Sequence, residues 1–278
     1  MRLWRQAKRH VWNPDDIDFS DDRAHWLLLS PQRQASLRRV CALFSAGERA
    51  VASDLLPLMT VVFAERRAEE ATYLTSFLWE EAKHVDVFDR FIAEVIGGAG
   101  ALSQDVDERY RRVLDEELRR SLMRLGTDAS PEAQTEAAVT YHIVVEGVMA
   151  ESGYYVIERL IDDSGPLPGL RRAIRLIARD ESRHIAFGMY FLTRLIVEHG
   201  DRAYKVFLRR LGELMPMVEQ ATIALVAKLG EDTSLDIALE DLIRHSQERF
   251  GRRMHRIMND RARAARMTAS VGASAVNR

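Results

Sequence analysis

Two short segments of the chain repeat one pattern: Glu80-Glu81-Ala82-Lys83-His84 and Asp180-Glu181-Ser182-Arg183-His184. Each contains Glu-x-x-His. On a helix, the i, i+3 spacing sets carboxylate and imidazole on one face, where both reach a single metal ion. A chain of this composition carries roughly one such match by chance, so the neighbours decide. Glu81 shares its face with Phe77, Leu78, Val85 and Phe88; Glu181 shares its face with Ile177, Ala178 and Ile185. Such apolar stripes turn toward a core, and a carboxylate there is costly unless paired or bound to metal. Glu48, among Cys41, Phe44, Val51 and Leu55, shows the same anomaly without a histidine. So does Glu146, among Ile143, Met149 and Ala150. The order Glu, Glu-x-x-His, Glu, Glu-x-x-His is the ligand set of a di-metal carboxylate site in a four-helix bundle. Six ligands, oxygen-rich and free of thiolate, favour iron or manganese over structural zinc. Buried ion pairs are the competing account; they explain any one of these acids more readily than the ordered set.

Holding such a site takes long helices, and the chain is built for them. Long stretches of Ala, Leu, Arg, Glu and Ile show helical periodicity, almost nothing alternates with period two, and the fold class is all-α. Residues 1–29 read as an irregular arm. Ser30-Pro31 reads as an N-cap and first-turn proline, opening a helix to about Ala64 with a kink at Pro57. Further helices are expected over about 67–96, 103–125, 130–163, 170–198, 200–230 and 236–260, with a loose tail from 262 to 278. The loop from Asp163 to Gly169 separates the fourth helix from the fifth, and no linker divides the 278 residues into domains. A net charge of −2 offers no basic footprint for nucleic acid. The single Cys41 excludes a disulfide framework. The basic start is not followed by the apolar segment of a secretory signal, and no apolar run is long enough to span a bilayer, so the expected location is cytoplasmic.

With these residues in place, the chain resembles the ribonucleotide reductase small-subunit superfamily over most of its length, which implies a ferritin-like four-helix bundle core with additional helices. In that superfamily the acid before the last Glu-x-x-His supports the histidine of the other metal site; Asp180 holds that position. Two departures separate the chain from a true reductase subunit. Phe88 stands where the radical tyrosine usually lies, although some manganese/iron subunits also carry Phe there, and no tyrosine follows Tyr204. Ala46-Gly47-Glu48-Arg49-Ala50-Val51, Val139-Thr140-Tyr141 leading to Glu146-Gly147, and Gly153-Tyr154-Tyr155 look like the ligand-binding oxidase branch.

That resemblance implies a heterodinuclear manganese/iron centre that reduces O₂. Glu48, Glu81 and His84 are then expected to hold manganese, and Glu146, Glu181 and His184 to hold iron, with Glu81 bridging. It also implies an ether bond between the Val51 β-carbon and the Tyr141 oxygen, and a second tyrosine, Tyr154, near the site. A long-chain fatty acid or similar lipid ligand, an unidentified electron donor and a homodimer belong to the same expectation. His142 is read as a non-ligand. The alternatives are a di-iron centre, a reductase small subunit with a manganese/iron centre, and a related di-iron oxygenase.

Overall fold

Ser30 and Ser130 start two of the central helices as their Ser-Pro pairs predict. Each hydroxyl accepts from the backbone N–H three residues on, at Arg33 and Ala133, at 3.2 Å. Pro31 and Pro131 occupy the first turn, where a missing N–H costs nothing. The computed structural model describes residues 2–98, 107–163, 167–229 and 239–276. Helix α3 (Pro31–Asp54) breaks at Leu55 and resumes as α4 (Leu56–Ala64), because Pro57 has no N–H to continue the ladder. Helix α5 (Ala68–Phe91) runs on as a π-helical segment, Ile92–Ile96, and ends at Gly97, whose φ of 93° suits a residue without a side chain.

The third expected helix runs unbroken as α6 (Glu108–Arg111), a π segment (Arg112–Leu118) and α7 (Arg119–Arg124). The fourth is α8 (Pro131–Ala138), a π segment (Val139–Ala150) and α9 (Glu151–Asp163). Helix α10 (Pro168–His199) is capped from elsewhere in the chain. The Asp22 carboxylate accepts from the N–H groups of Gly169 and Leu170, both at 2.8 Å. Helices α11 (Asp201–Leu229) and α12 (Leu239–Val276) complete the fold, and the described residues contain no strand. The expected starts at 103 and 236, the end at Gly230 and loop residues 164–166 lie outside the described residues.

One expectation is corrected. The stretch 1–29 is not an irregular arm. It forms α1 (Arg2–Arg9), a 3₁₀ turn (Pro14–Asp16) and α2 (Ser20–Trp26), and buries Ala7, Trp12, Phe19 and Trp26. Pieces this short show too few turns for periodicity to register. The expected tail is helical in backbone as far as Val276, where α12 ends, through Ala- and Arg-rich sequence of high helix propensity.

Helix α3 packs along α5, and α10 packs against α5 and the Val139–Ala150 segment; α11 and α12 cover the outside. The apolar core falls into two clusters, one around Val51, Phe77, Tyr141 and Phe187, the other around Phe44, Phe88, Tyr154 and Ile177. Glu48, Glu81 and Glu181 each fall between a residue of one cluster and a residue of the other. A polar layer therefore crosses the middle of the bundle, where the predicted site lies. No helix among the described residues is long and apolar enough to cross a membrane.

Candidate metal centre

The four inward acids and two histidines meet in that layer, all but sealed from solvent. Glu48, Glu81, His84 and Glu181 bring ligand atoms within 4.8 Å of one another, as do Glu81, Glu146 and His184. Glu81 belongs to both groups. Glu181 Oε1 is also shared, at 3.2 Å from His84 Nδ1 and 3.3 Å from His184 Nδ1. Both imidazoles turn Nδ1 inward: His84 Nδ1 lies 3.3 Å from Glu48 Oε2, and His184 Nδ1 lies 3.0 Å from Glu81 Oε1.

Such a cluster is electrostatically unfinished on its own. Burial pushes the Glu48 carboxyl up to about 8, with Glu81 and Glu181 adding to it against the pull of His84. Burial, then the Glu181 charge, holds Glu146 well above the carboxylate range. Burial alone would raise Glu81 too, yet His184 and His84 outweigh it and keep its carboxyl far below the usual range. Both histidines sit well above their ordinary value; burial opposes this, and the surrounding carboxylates prevail. Glu146 Oε1 and His184 Nδ1, both buried, have no hydrogen-bond partner among the described residues. Orphaned buried donors and acceptors call for an explanation, and a converging set of hard-oxygen and imidazole groups fits a pair of iron or manganese ions.

The outer face of each imidazole meets another acid. His84 Nε2 lies 3.5 Å from Asp180 Oδ2, the position expected of Asp180. His184 Nε2 is hydrogen-bonded to Glu80 Oε2 at 2.9 Å, a role not foreseen from the sequence. The signal was present, because Glu80 precedes the first Glu-x-x-His as Asp180 precedes the second. Asp180 also accepts from Trp12 Nε1 at 2.7 Å and Lys83 Nζ at 3.1 Å. Burial would raise its carboxyl, but His84, Lys83 and Trp12 hold it well below the usual range. The Arg183 guanidinium ties the pair together, 2.6 Å from both Glu80 Oε1 and Asp180 Oδ1.

Both tyrosines lie against carboxylates of the layer. The Tyr141 hydroxyl donates to Glu81 Oε1 at 3.3 Å, and the Tyr154 hydroxyl donates to Glu48 Oε1 at 3.4 Å. Val51 lines the cavity that exposes Glu48, Glu81, Glu146 and Glu181. Phe88 stacks on Phe44 at 5.2 Å. His142 stays outside both ligand groups. It hydrogen-bonds Glu146 Oε2 through Nδ1 at 3.0 Å, and burial pulls its pKa down to about 3.

A helical bundle whose central layer gathers two Glu-x-x-His pairs and two further glutamates is a ferritin-like di-metal carboxylate protein. A family model described as ribonucleotide reductase, small chain, matches residues 1–260, and the chain belongs to that family. Among solved structures, a Tyr-to-Phe variant of an R2-like ligand-binding oxidase with aerobically reconstituted Mn/Fe cofactor is 36% identical, with 91% of this chain and 90% of that chain covered and a TM-score of 0.84. R2-like ligand-binding oxidase with aerobically reconstituted Mn/Fe cofactor after a long soak is 37% identical over the same shares, with a TM-score of 0.85. A form with aerobically reconstituted metal cofactor after photoconversion is 36% identical, again covering 91% and 90%, with a TM-score of 0.85.

Proposed function

We propose that the chain is a single-domain, O₂-reducing oxidase with a heterodinuclear manganese/iron centre. Glu48, Glu81 and His84 hold manganese, and Glu146, Glu181 and His184 hold iron. The observation that carries this reading is the pair of buried ligand groups sharing Glu81, which suits Glu81 as the bridge. When bound, the two metals supply dioxygen binding and electrons for its reduction. The protein's own residues orient, insulate and connect that chemistry. Glu80 and Asp180 fix the outer nitrogens of the histidines, leaving Nδ1 free to ligate. Phe44, Phe88 and Phe77 exclude water around the layer. Trp12, on the wall of a surface cavity with Trp79 and Lys83, reaches His84 through Asp180 and offers electrons from an unidentified donor a way in.

An ether bond between Val51 Cβ and the Tyr141 oxygen belongs to the same proposal. Its formation breaks the Val51 Cβ–H and Tyr141 O–H bonds and releases two protons and two electrons, which dioxygen accepts. An apolar cavity among α3, α9, α11 and α12 adjoins the metal layer and suits a long-chain, fatty-acid-like ligand with its carboxylate toward the metals. A homodimer and a cytoplasmic location complete the proposal; sedimentation tests the first. The central test is to load metal-free protein with Mn(II) and Fe(II), expose it to air, and map its peptides by mass spectrometry. A Val51–Tyr141 peptide pair lighter by two hydrogens is expected. Metal-loaded protein yielding only unlinked peptides would move the reductase and oxygenase alternatives ahead.

A further inference from the structure

Two cavities meet at Phe44 and Tyr110. The outer one is lined by Val40, Leu43, Met149, Val156 and Leu225, the inner one by Val51, Leu114 and the ligand carboxylates, and both rings border each. The two rings are held very differently. Phe44 stacks on Phe88 at 5.2 Å with planes 7° apart and leans on Tyr154 at 4.8 Å. Gly153 lies against its far edge, where an added Cβ would fall 2.9 Å from the ring Cζ. Phe44 is therefore a fixed wall, since a close-packed aromatic cluster has no spare volume to yield into. Tyr110 sits in the first turn of the continuous helix formed by α6, the π segment and α7, and is only half-buried. Its hydroxyl faces Gly47, where an added Cβ would lie 3.9 Å away. Clearance on this side is set by one ring and one missing side chain.

We infer that Tyr110 is a specificity-determining residue: its ring, set against the fixed Phe44 ring, passes an unbranched chain toward the metals and stops a methyl-branched one. The inference rests on the reading of an amphiphile bound with its head at the metal layer. A rigid apolar slot discriminates by about 10- to 200-fold for each methylene-sized group it must reject. The ring supplies most of this wall, and the hydroxyl supplies its edge against Gly47.

The test measures retention of two probes, palmitic acid and a tetramethyl-branched C16 acid, on Mn/Fe-loaded full-length protein, with metal content and thermal midpoint recorded for every variant. The unaltered protein is expected to bind palmitate at least about tenfold more tightly than the branched acid. Tyr110→Ala is expected to reduce that preference to within about threefold, and Tyr110→Phe to keep most of it. Gly47→Ala adds a methyl at ordinary contact distance from Tyr110 and Leu114, so it narrows the slot without strain. It is expected to weaken palmitate by about tenfold, and it keeps the inference testable if Tyr110→Ala fails to fold. Equal binding of both acids by the unaltered protein, a preference that survives Tyr110→Ala or is lost in Tyr110→Phe, or no effect of Gly47→Ala overturns the assignment to Tyr110 and leaves the amphiphile reading standing. Retention of neither acid by any form removes the amphiphile reading, and this inference with it.

Discussion

Glu80 and Asp180 each stand one residue before a Glu-x-x-His, and each faces the histidine of the other motif. Glu80 Oε2 lies 2.9 Å from His184 Nε2, and Asp180 Oδ2 lies 3.5 Å from His84 Nε2. The exchange follows from helix geometry. A residue beside the ligand glutamate lies about 100° around the helix from that glutamate, and from there Glu80 and Asp180 reach across to the neighbouring helix. Glu80 thus hydrogen-bonds the ring it faces, Asp180 approaches its ring at ion-pair distance, and Arg183 joins the two acids. An acid on Nε2 keeps the proton there and leaves the Nδ1 lone pair for metal.

Glu80→Ala therefore weakens metal binding chiefly at the His184 end of the site, by about 10- to 100-fold. Asp180→Ala does the same at the His84 end and also costs folding stability, because it strips partners from Lys83, Arg183 and Trp12 at once. Titration with Mn(II), followed by metal analysis and paramagnetic resonance, separates the two ends. An unchanged affinity in both variants would show that the outer acids have no hold on the ligands.

Metal uptake should also depend steeply on pH. In the metal-free protein, Glu48 is pushed up to about 8, Glu146 stands well above the carboxylate range, and both histidines stand well above theirs. All four must lose their protons to ligate, so protons compete with metal below these values and binding releases them. Affinity for Mn(II) then rises from pH 6 toward pH 8, by about tenfold per pH unit for each competing proton, or about 1.4 kcal/mol. Calorimetry in buffers of different ionisation enthalpy counts the protons released. A flat affinity across this range would mean that the four ligands are already deprotonated before metal arrives.

The metal layer was legible because each acid interrupts an apolar stripe of helical period, a conflict that charge and burial alone expose. Asp180 was legible by resemblance, while Glu80 was overlooked although the doubled acid-Glu-x-x-His pattern marks it. The placement of Tyr141 was only half legible. On an α-helix, a residue five before Glu146 lies well around the cylinder from it. The Val139–Ala150 segment is a π-helix, whose i→i+5 pattern brings residues five apart nearly onto one face. Nothing in Val-Thr-Tyr-His-Ile-Val-Val-Glu announces that widening. The long-range contacts that hold it, Arg210 on Thr140 and Arg253 on the Gly147 carbonyl, come from α11 and α12. Short helices such as α1 and α2 were invisible for a related reason, since their stability is tertiary rather than local.

The proposed cross-link separates cleanly from metal binding. Tyr141→Phe removes the only oxygen that can bond to Val51 Cβ from that position, and with it a 3.3 Å hydrogen bond to Glu81, but no ligand. The variant should hold both metals within about tenfold of the unaltered protein, since a hydrogen bond to a carboxylate contributes about 1.5 kcal/mol, and yield no linked peptide after exposure to air. Val51→Ala replaces a tertiary C–H by a primary one and should lower the yield of linked peptide while leaving metal content unchanged. Linked peptide persisting in Tyr141→Phe would place the bond elsewhere.

Gly188 offers a test of how tightly the π segment is keyed to the site. A Cβ there would fall 2.1 Å from His142 Cβ and 2.4 Å from its Cγ, far inside contact distance. His142 is fully buried and stacked on Tyr141 at 4.4 Å, so it has no room to retreat. Gly188→Ala should destabilise the fold by about 2–3 kcal/mol through overpacking. For a chain of this length that lowers the thermal midpoint by about 4–12 °C. Because His142 hydrogen-bonds Glu146, the shift it is forced to make carries that ligand with it, and metal bound at the Glu146/His184 end should fall before the protein unfolds. Gly212→Ala is the matched control. It lies within α11 with nothing inside 4 Å of the added Cβ, and should gain about 0.5–1 kcal/mol from helix propensity alone. Equal thermal midpoints for the two variants would mean that His142 can move freely, and that the close approach of α10 to the π segment does not set the position of Glu146.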